Sequence, residues 1–332
     1  MADAEVGDAW YADDPTVNRL QEMAGGLLEK EGALYVPTGT MGNQIAVRLH
    51  VTGAGHLVAS SSAAHVATTE VMTSAVFSGI AFRTVDPGPR GWIDADQARA
   101  LLAPDSFYDV EMVDLLAVEN TAGAAGGRVF PLEELRAVRK VAAGAGIPVH
   151  LDGARLFNAA VAAGEDAAAW AREVDTVMFC VSKGLGAPIG SLLCGPADMM
   201  AEARRLLILF GGGWRQAGIT AAAGIVALEQ GRARLAEDHD RARRLAEGVH
   251  AILPGSVDLD QVETNMVFVD TEAVGLPAYE TIGRLKALGV GVTHTGKIRM
   301  VTHVDVDDGG VAFALDAWAS IARDAAKGAK ED

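Results

Sequence analysis

Cysteine is nearly absent from these 332 residues: Cys180 and Cys194 are the two, both within or beside apolar stretches. They match no metal-ligand spacing, so no disulfide framework and no metal site is expected, and free thiols in a reducing compartment are. Positive charge is also scarce. With 28 Lys and Arg against 44 Asp and Glu, the formal net charge is -16. That argues against nucleic acid and against anionic membranes as partners, because both call for a basic surface. No uncharged apolar run is long enough to span a bilayer, and the start, MADAEVGDAW, has no basic region leading into an apolar core. A cytoplasmic protein without a signal peptide is expected. Internal repeats are lacking too, which excludes solenoid and propeller architectures.

What is present is a globular composition: half the residues are apolar, with abundant Ala and 38 Gly, pointing to closely packed helices joined by many turns. The length suggests two domains. Val17, Leu20, Met23, Ala24, Leu27 and Leu28 recur at helical spacing behind Asp14-Pro15, an N-cap followed by a first-turn proline, so a helix is predicted over Pro15 to Lys30. Ala33 to Val36 reads as a strand, followed by TGTMGN and a helix through Ile45 to His50. A strand, a small-residue turn and a helix start expose backbone N-H groups to an anion, although ordinary capping explains the same residues. Strands are further expected at Phe77 to Val85, Val113 to Val118 and Ile147 to Leu151, and helices from about Asp94 and over Leu132 to Ala143. This alternation is that of a doubly wound α/β sheet, in which functional groups collect where the strands end. Helices are also expected over Ala197 to Leu209 and Gly231 to Val249, with an Ala-rich segment at Ala217 to Leu228 between them. Beyond Pro254, segments at Val262 to Val269, Tyr279 to Leu288, Val290 to His294, Ile298 to His303 and Gly310 to Arg323 suggest a smaller α+β domain, ending in a solvated KGAKED tail.

The stretch Asp175 to Ser191, DTVMFCVSKGLGAPIGS, combines an apolar strand with a glycine-rich loop and places Lys183 at the strand's carboxyl end. A lysine there can simply reach solvent, but desolvation would make its amine a nucleophile able to form a Schiff base. Asp152 ends another strand. The two are the pair expected of a pyridoxal phosphate site: the lysine holds the aldehyde, and a carboxylate keeps the pyridine nitrogen protonated. Thr38 to Asn43 can cradle the phosphate, His65 can stack on the ring with Glu70 nearby, and Arg155 and Arg299 are available for the carboxylate of an amino-acid substrate.

Taken together, EVGDAWYADDPTVNRLQE, TGTMGN, AHVATTE, VEN followed by AGGRVFPL, VHLDGARLFNAA, FCVSKGLGAPIGS, GGGWRQAGI and IRMVTHVD resemble the L-threonine aldolase family of fold-type I pyridoxal-phosphate enzymes over nearly the full length. The resemblance implies an N-terminal segment and cofactor-binding large domain over 1–235, with a mostly parallel sheet, and a small C-terminal α+β domain over 236–332. It implies that Lys183 forms the Schiff base, that Asp152 meets the pyridine nitrogen, that His65 stacks on the ring and is the candidate base, and that Gly39 and Thr40 bind the phosphate. Arg155 and Arg299 would hold the substrate carboxylate, and Arg215 would reach the phosphate region across a subunit interface in a homodimer or homotetramer. The implied reaction is retro-aldol cleavage of a β-hydroxy-α-amino acid to glycine and an aldehyde; a lyase acting at Cβ and a weakly active cofactor-binding homologue are the alternatives.

Four departures from the family pattern stand out. Met1 falls after the point where the family carries a Ser-Asp-x-x-Thr segment, so a start upstream of Met1 is one expectation. Ala122 and Gly123 replace a His and an Asn that follow the Glu-Asn-Thr run, Ile208 stands where a lysine is common, and YADDP replaces YGEDP at Tyr11 to Pro15. The first three changes fall on substrate and phosphate contacts, whereas Lys183, Asp152, Arg155 and Arg299 are kept.

Overall fold

The computed structural model describes residues 1–51, 53–103 and 112–328. It divides into two compact units: Met1–Gly123 with Val129–Ala233, and Ala124–Arg128 with Arg234–Asp332.

The first unit is built on a seven-stranded sheet of β1 (Gly32–Val36), β2 (Leu57–Ser61), β3 (Ala81–Val85), β4 (Val113–Glu119), β5 (Val149–Asp152), β6 (Thr176–Cys180) and β7 (Ser191–Gly195), in the order β1-β7-β6-β5-β4-β2-β3. Strands β3, β2, β4, β5 and β6 are mutually parallel, while β7 runs antiparallel to both β6 and β1. Two reversals restore the direction, so β1 ends at the same edge as β2, β4, β5 and β6. Every residue of β5, β6 and β7 is buried, as expected of strands covered on both faces. Val36, Ile45, Ala46, Met178 and Leu193 pack together at the β1–β6 end of the sheet. Val47, Val58, Leu115 and Ala117 do the same around β2 and β4.

The helix Pro15–Leu28 begins as its caps dictate. Asp14 accepts hydrogen bonds from the N-H groups of Thr16 and Val17, and its second carboxylate oxygen accepts from the Gly218 N-H at 2.9 Å. A Cβ on Gly218 would lie 2.4 Å from that carboxylate, so only glycine allows the approach. One expectation is corrected here. Phe77 lies in the helix Val71–Ser78, not in a strand, which starts only at Ala81. Its ring packs on Phe210, 4.6 Å away between centroids, and this surface apolar pair imitates a buried strand in one dimension. The antiparallel β7 was not foreseen, because apolar residues behind a glycine-rich loop carry no mark of strand direction.

The second unit holds a three-stranded antiparallel sheet of β8 (Met266–Val269), β9 (Thr293–His294) and β10 (Ile298–Val301), in the order β8-β10-β9. The helices Leu235–Ile252 and Asp308–Gly328 cover it, burying Val249, Val267, Ile298, Trp318 and Ile321 in one core. The Trp318 indole N-H donates to Met300 Sδ at 3.4 Å. Of the tail read as solvated, residues 329–332 lie outside the described residues. Among the described residues no helix is long and apolar enough to cross a membrane.

Candidate active site

The edge where β1, β2, β4, β5 and β6 end gathers Thr38, His65, Glu119, Asp152 and Lys183 in the turns that follow or close those strands. The chain leaves β1 through Thr38, whose Oγ1 accepts from the Met41 N-H at 3.1 Å and starts the helix Gly39–His50. With Met41 capped and Gly42 bonded to the Thr38 carbonyl, the N-H groups of Gly39 and Thr40 are the orphan donors of this helix start. A Cβ on Gly39 would come within 2.9 Å of Cys180 Sγ and 3.1 Å of Met178 Cε, so the turn lies tight against the end of β6.

The same helix carries two buried amides inward. Asn43 Nδ2 donates to Asp152 Oδ2 at 2.8 Å and to Glu70 Oε1 at 3.1 Å. Gln44 Nε2 donates to Glu70 Oε2 at 2.8 Å, and its Oε1 accepts from Ser74 Oγ at 2.9 Å. Glu70 also meets His65 Nδ1 at 2.7 Å. Asp152 Oδ1 accepts from the Ala154 N-H at 3.1 Å, and Glu119 accepts from the N-H groups of His65 and Gly123, both at 2.9 Å. Ligand atoms of His65, Glu70 and Asp152 lie within 4.8 Å of one another, but Glu70 is filled by three donors and Asp152 by two, so amides rather than an ion account for the clustering.

The electrostatics follow from burial. Desolvation raises the Asp152 carboxyl above its ordinary value, opposed by the positive charge of Lys183 and by the Asn43 hydrogen bond. Desolvation and the nearby Asp152 push Glu119 up to about 7. The hydrogen bond to Glu70 raises His65, against a smaller pull from its own desolvation. Burial also raises the Cys180 thiol, with Lys183 and Arg155 acting in the opposite sense.

Of the residues singled out in the sequence, Gly39, Thr40, His65, Asp152, Arg155 and Lys183 fall at this edge of the first unit. Lys183 differs from the expectation in one respect: its side chain is exposed rather than desolvated, since Ser182 and Lys183 stand out to solvent between the buried Val181 and the buried Gly184 and Leu185. Among the described residues no side chain pairs with its ammonium. Arg215 is taken up by the amino-terminal segment, donating to Asp8 Oδ2 at 2.7 Å and lying 5.3 Å from the Trp10 ring and 5.5 Å from that of Tyr11. Arg299 belongs to the second unit, where its Nε-H donates to Thr293 Oγ1 at 3.2 Å. Sequence reasoning missed Gln44, Glu119, His150 and Thr176, and saw Asn43 only as the end of a turn. His150 carried a legible signal: two residues before Asp152 on a strand, it shares that residue's face.

A model of the family described as "Beta-eliminating lyase" matches residues 1–273. The low specificity L-threonine aldolase of Escherichia coli K12 is 38% identical over 322 residues, 96% of this chain and 92% of that protein. The probable low-specificity L-threonine aldolase 2 of Arabidopsis thaliana is 36% identical over 325 residues, 97% and 92% of the two chains. Among solved structures, the threonine aldolase of Leishmania major superposes with a TM-score of 0.79 at 19% identity, covering 96% of this chain and 92% of that one. The architecture is that of fold-type I.

Proposed function

We propose, from the premise that this chain belongs to the beta-eliminating lyase family, that it is a threonine aldolase, cleaving a β-hydroxy-α-amino acid to glycine and an aldehyde with pyridoxal 5'-phosphate as cofactor. The observation that carries the reading is the convergence of Lys183 and the buried, amide-held Asp152 on one sheet edge, beside a helix start with two orphan N-H groups. Those residues fit the cofactor: a free amine, an acceptor carboxylate and an anion cradle whose glycine is packed too closely for a Cβ.

Bound there, pyridoxal phosphate supplies an electron sink for the pair released as the bond between Cα and Cβ breaks. Lys183 Nζ is its covalent anchor, Asp152 serves the ring nitrogen, and the N-H groups of Gly39 and Thr40 hold the phosphate. Arg155 grips the substrate carboxylate. His65 offers its face for stacking and its Nε2 as the base: with the Nδ1-H donated to Glu70, the tautomer leaves Nε2 free to take the β-hydroxyl proton. Should His65→Phe keep cofactor and full turnover, His65 would not be the base.

The protein acts in the cytoplasm as a homodimer or homotetramer, with Arg215 serving the phosphate region of a partner. The exposed apolar side chains of Met72, Val76 and Leu209, at 72%, 76% and 66%, near the Phe77–Phe210 pair, support the self-association alone. The test is product analysis with L-threonine, L-allo-threonine and phenylserine. Glycine with the matching aldehyde is the expected result; ammonia with a keto acid would instead establish elimination at Cβ.

A further inference from the structure

Behind Asp152 lies a line of buried and, at its far end, partly buried polar groups that the reaction does not use. His150 Nε2 is 3.1 Å from Asn43 Oδ1, His150 Nδ1 is 2.9 Å from Thr176 Oγ1, and Thr176 Oγ1 is 2.9 Å from His50 Nε2. His150, Thr176 and Asn43 are at most 1% exposed, so bulk solvent does not reach them and each depends on its protein partners.

The carboxylates around Asn43 orient the bonds of this line. Asn43 faces two carboxylate oxygens, of Glu70 and Asp152, and only its NH2 group can donate to both. Its Oδ1 therefore points at His150 and accepts, which requires the His150 hydrogen on Nε2. Burial lowers the His150 imidazole to about 3, so at neutral pH it carries one hydrogen and no charge. Nδ1 is then an acceptor for the Thr176 hydroxyl, and the Thr176 oxygen accepts in turn from His50, which burial lowers to about 4. Turning the Asn43 amide over would set an oxygen against two carboxylates and remove two charge-assisted bonds.

We propose that His150 is a positioning residue for the cofactor: its Nε2-H locks the Asn43 amide the one way round that fixes Asp152 Oδ2, while the Ala154 N-H fixes Oδ1, so the carboxylate is held in a single orientation toward the ring nitrogen. This rests on the reading of the site as one for pyridoxal phosphate. His150 touches neither cofactor nor substrate; it acts through Asn43.

The test exploits two amide substitutions. Gln places a nitrogen where His150 has Nε2 and keeps a donor for Asn43, whereas Asn imitates only the Nδ1 side, toward Thr176. Dissociation constants of pyridoxal phosphate and of its 1-deaza analogue, which has no ring nitrogen, are measured for the reconstituted wild type, His150→Asn and His150→Gln. His150→Asn is expected to bind pyridoxal phosphate about tenfold more weakly, as for one hydrogen bond at a charged group, with the deaza analogue unchanged and with His150→Gln near wild type. Equal weakening of both ligands, no weakening of either, or failure of Gln to restore binding would each overturn the proposal. Should His150→Asn not fold, Thr176→Val, which removes the hydroxyl and little else, is expected to give the same selective loss at about threefold, and an equal loss or none would overturn it. Nitrogen-15 NMR of the wild-type imidazole reads the tautomer directly, with or without cofactor. A hydrogen on His150 Nδ1 refutes the positioning role, whereas a wild type that binds no pyridoxal phosphate refutes the functional reading.

Discussion

Replacing Asn43 with Ala tests whether the site is held by amides rather than by the fold alone. Asn43 is 1% exposed and makes three bonds: to Asp152 at 2.8 Å, to Glu70 at 3.1 Å and to His150 at 3.1 Å. Each bond to a charged group contributes about 1.5–3 kcal/mol, and the His150 N-H left behind adds an unsatisfied donor. Water entering the vacated space offsets part of this, so a net loss of about 3–5 kcal/mol is expected. The loss also depends on pH. The Asn43 bond stabilises the ionised form of Asp152 and so lowers its pKa; removing it raises the folded-state value further above the unfolded one. The gap between variant and wild type is therefore full where Asp152 is ionised and narrows as the pH falls and the carboxyl takes a proton in both proteins. Urea unfolding of the cofactor-free protein at pH 7.5 and at successively lower pH measures it. A gap below about 1 kcal/mol at pH 7.5, or one that widens in acid, would refute the reasoning.

Other outcomes follow from the same geometry. Burial holds the His50 pKa at about 4, below its unfolded value, so its contribution is complete above about 6.5 and is lost as the pH falls toward 4, up to about 3 kcal/mol. His50→Gln is expected to flatten the acid limb of the thermal unfolding profile, and an unchanged limb would contradict this. Gly39→Ala forces a Cβ to 2.9 Å from Cys180 Sγ, so a stability loss of about 1–3 kcal/mol is expected together with weaker cofactor reloading. Equal or tighter reloading in a cofactor titration would show that the turn is not the cradle.

How much of this was legible in the sequence depended on where the information lay. Caps and strand ends are local, so Asp14 with Pro15, the helix Ala197–Leu209 and the edge positions of Asp152 and Lys183 could all be read from neighbouring residues. The reversed β7 and the helical Phe77 could not, since the apolar residues of one carry no mark of strand direction and the surface contact of the other lies far away in the chain. The argument from desolvation of Lys183 did not carry over, because apolar residues up to Val181 say where the strand is buried but not where the next side chain goes. The polar network was the least legible part. Asn43, Glu70, His150 and Thr176 come from four separate segments, and each alone looks like an ordinary polar residue on a helix or a strand. Only their shared burial makes them interdependent.

The central claim is that Lys183 anchors pyridoxal phosphate at the edge where Asp152 waits. Borohydride reduction of the purified protein loaded with the cofactor, followed by peptide mapping, tests it most directly. The account expects the reduced pyridoxyl group on Lys183, and on Lys183→Ala no label at that edge; a label that settles on another lysine in the wild type, or none at all, would contradict it.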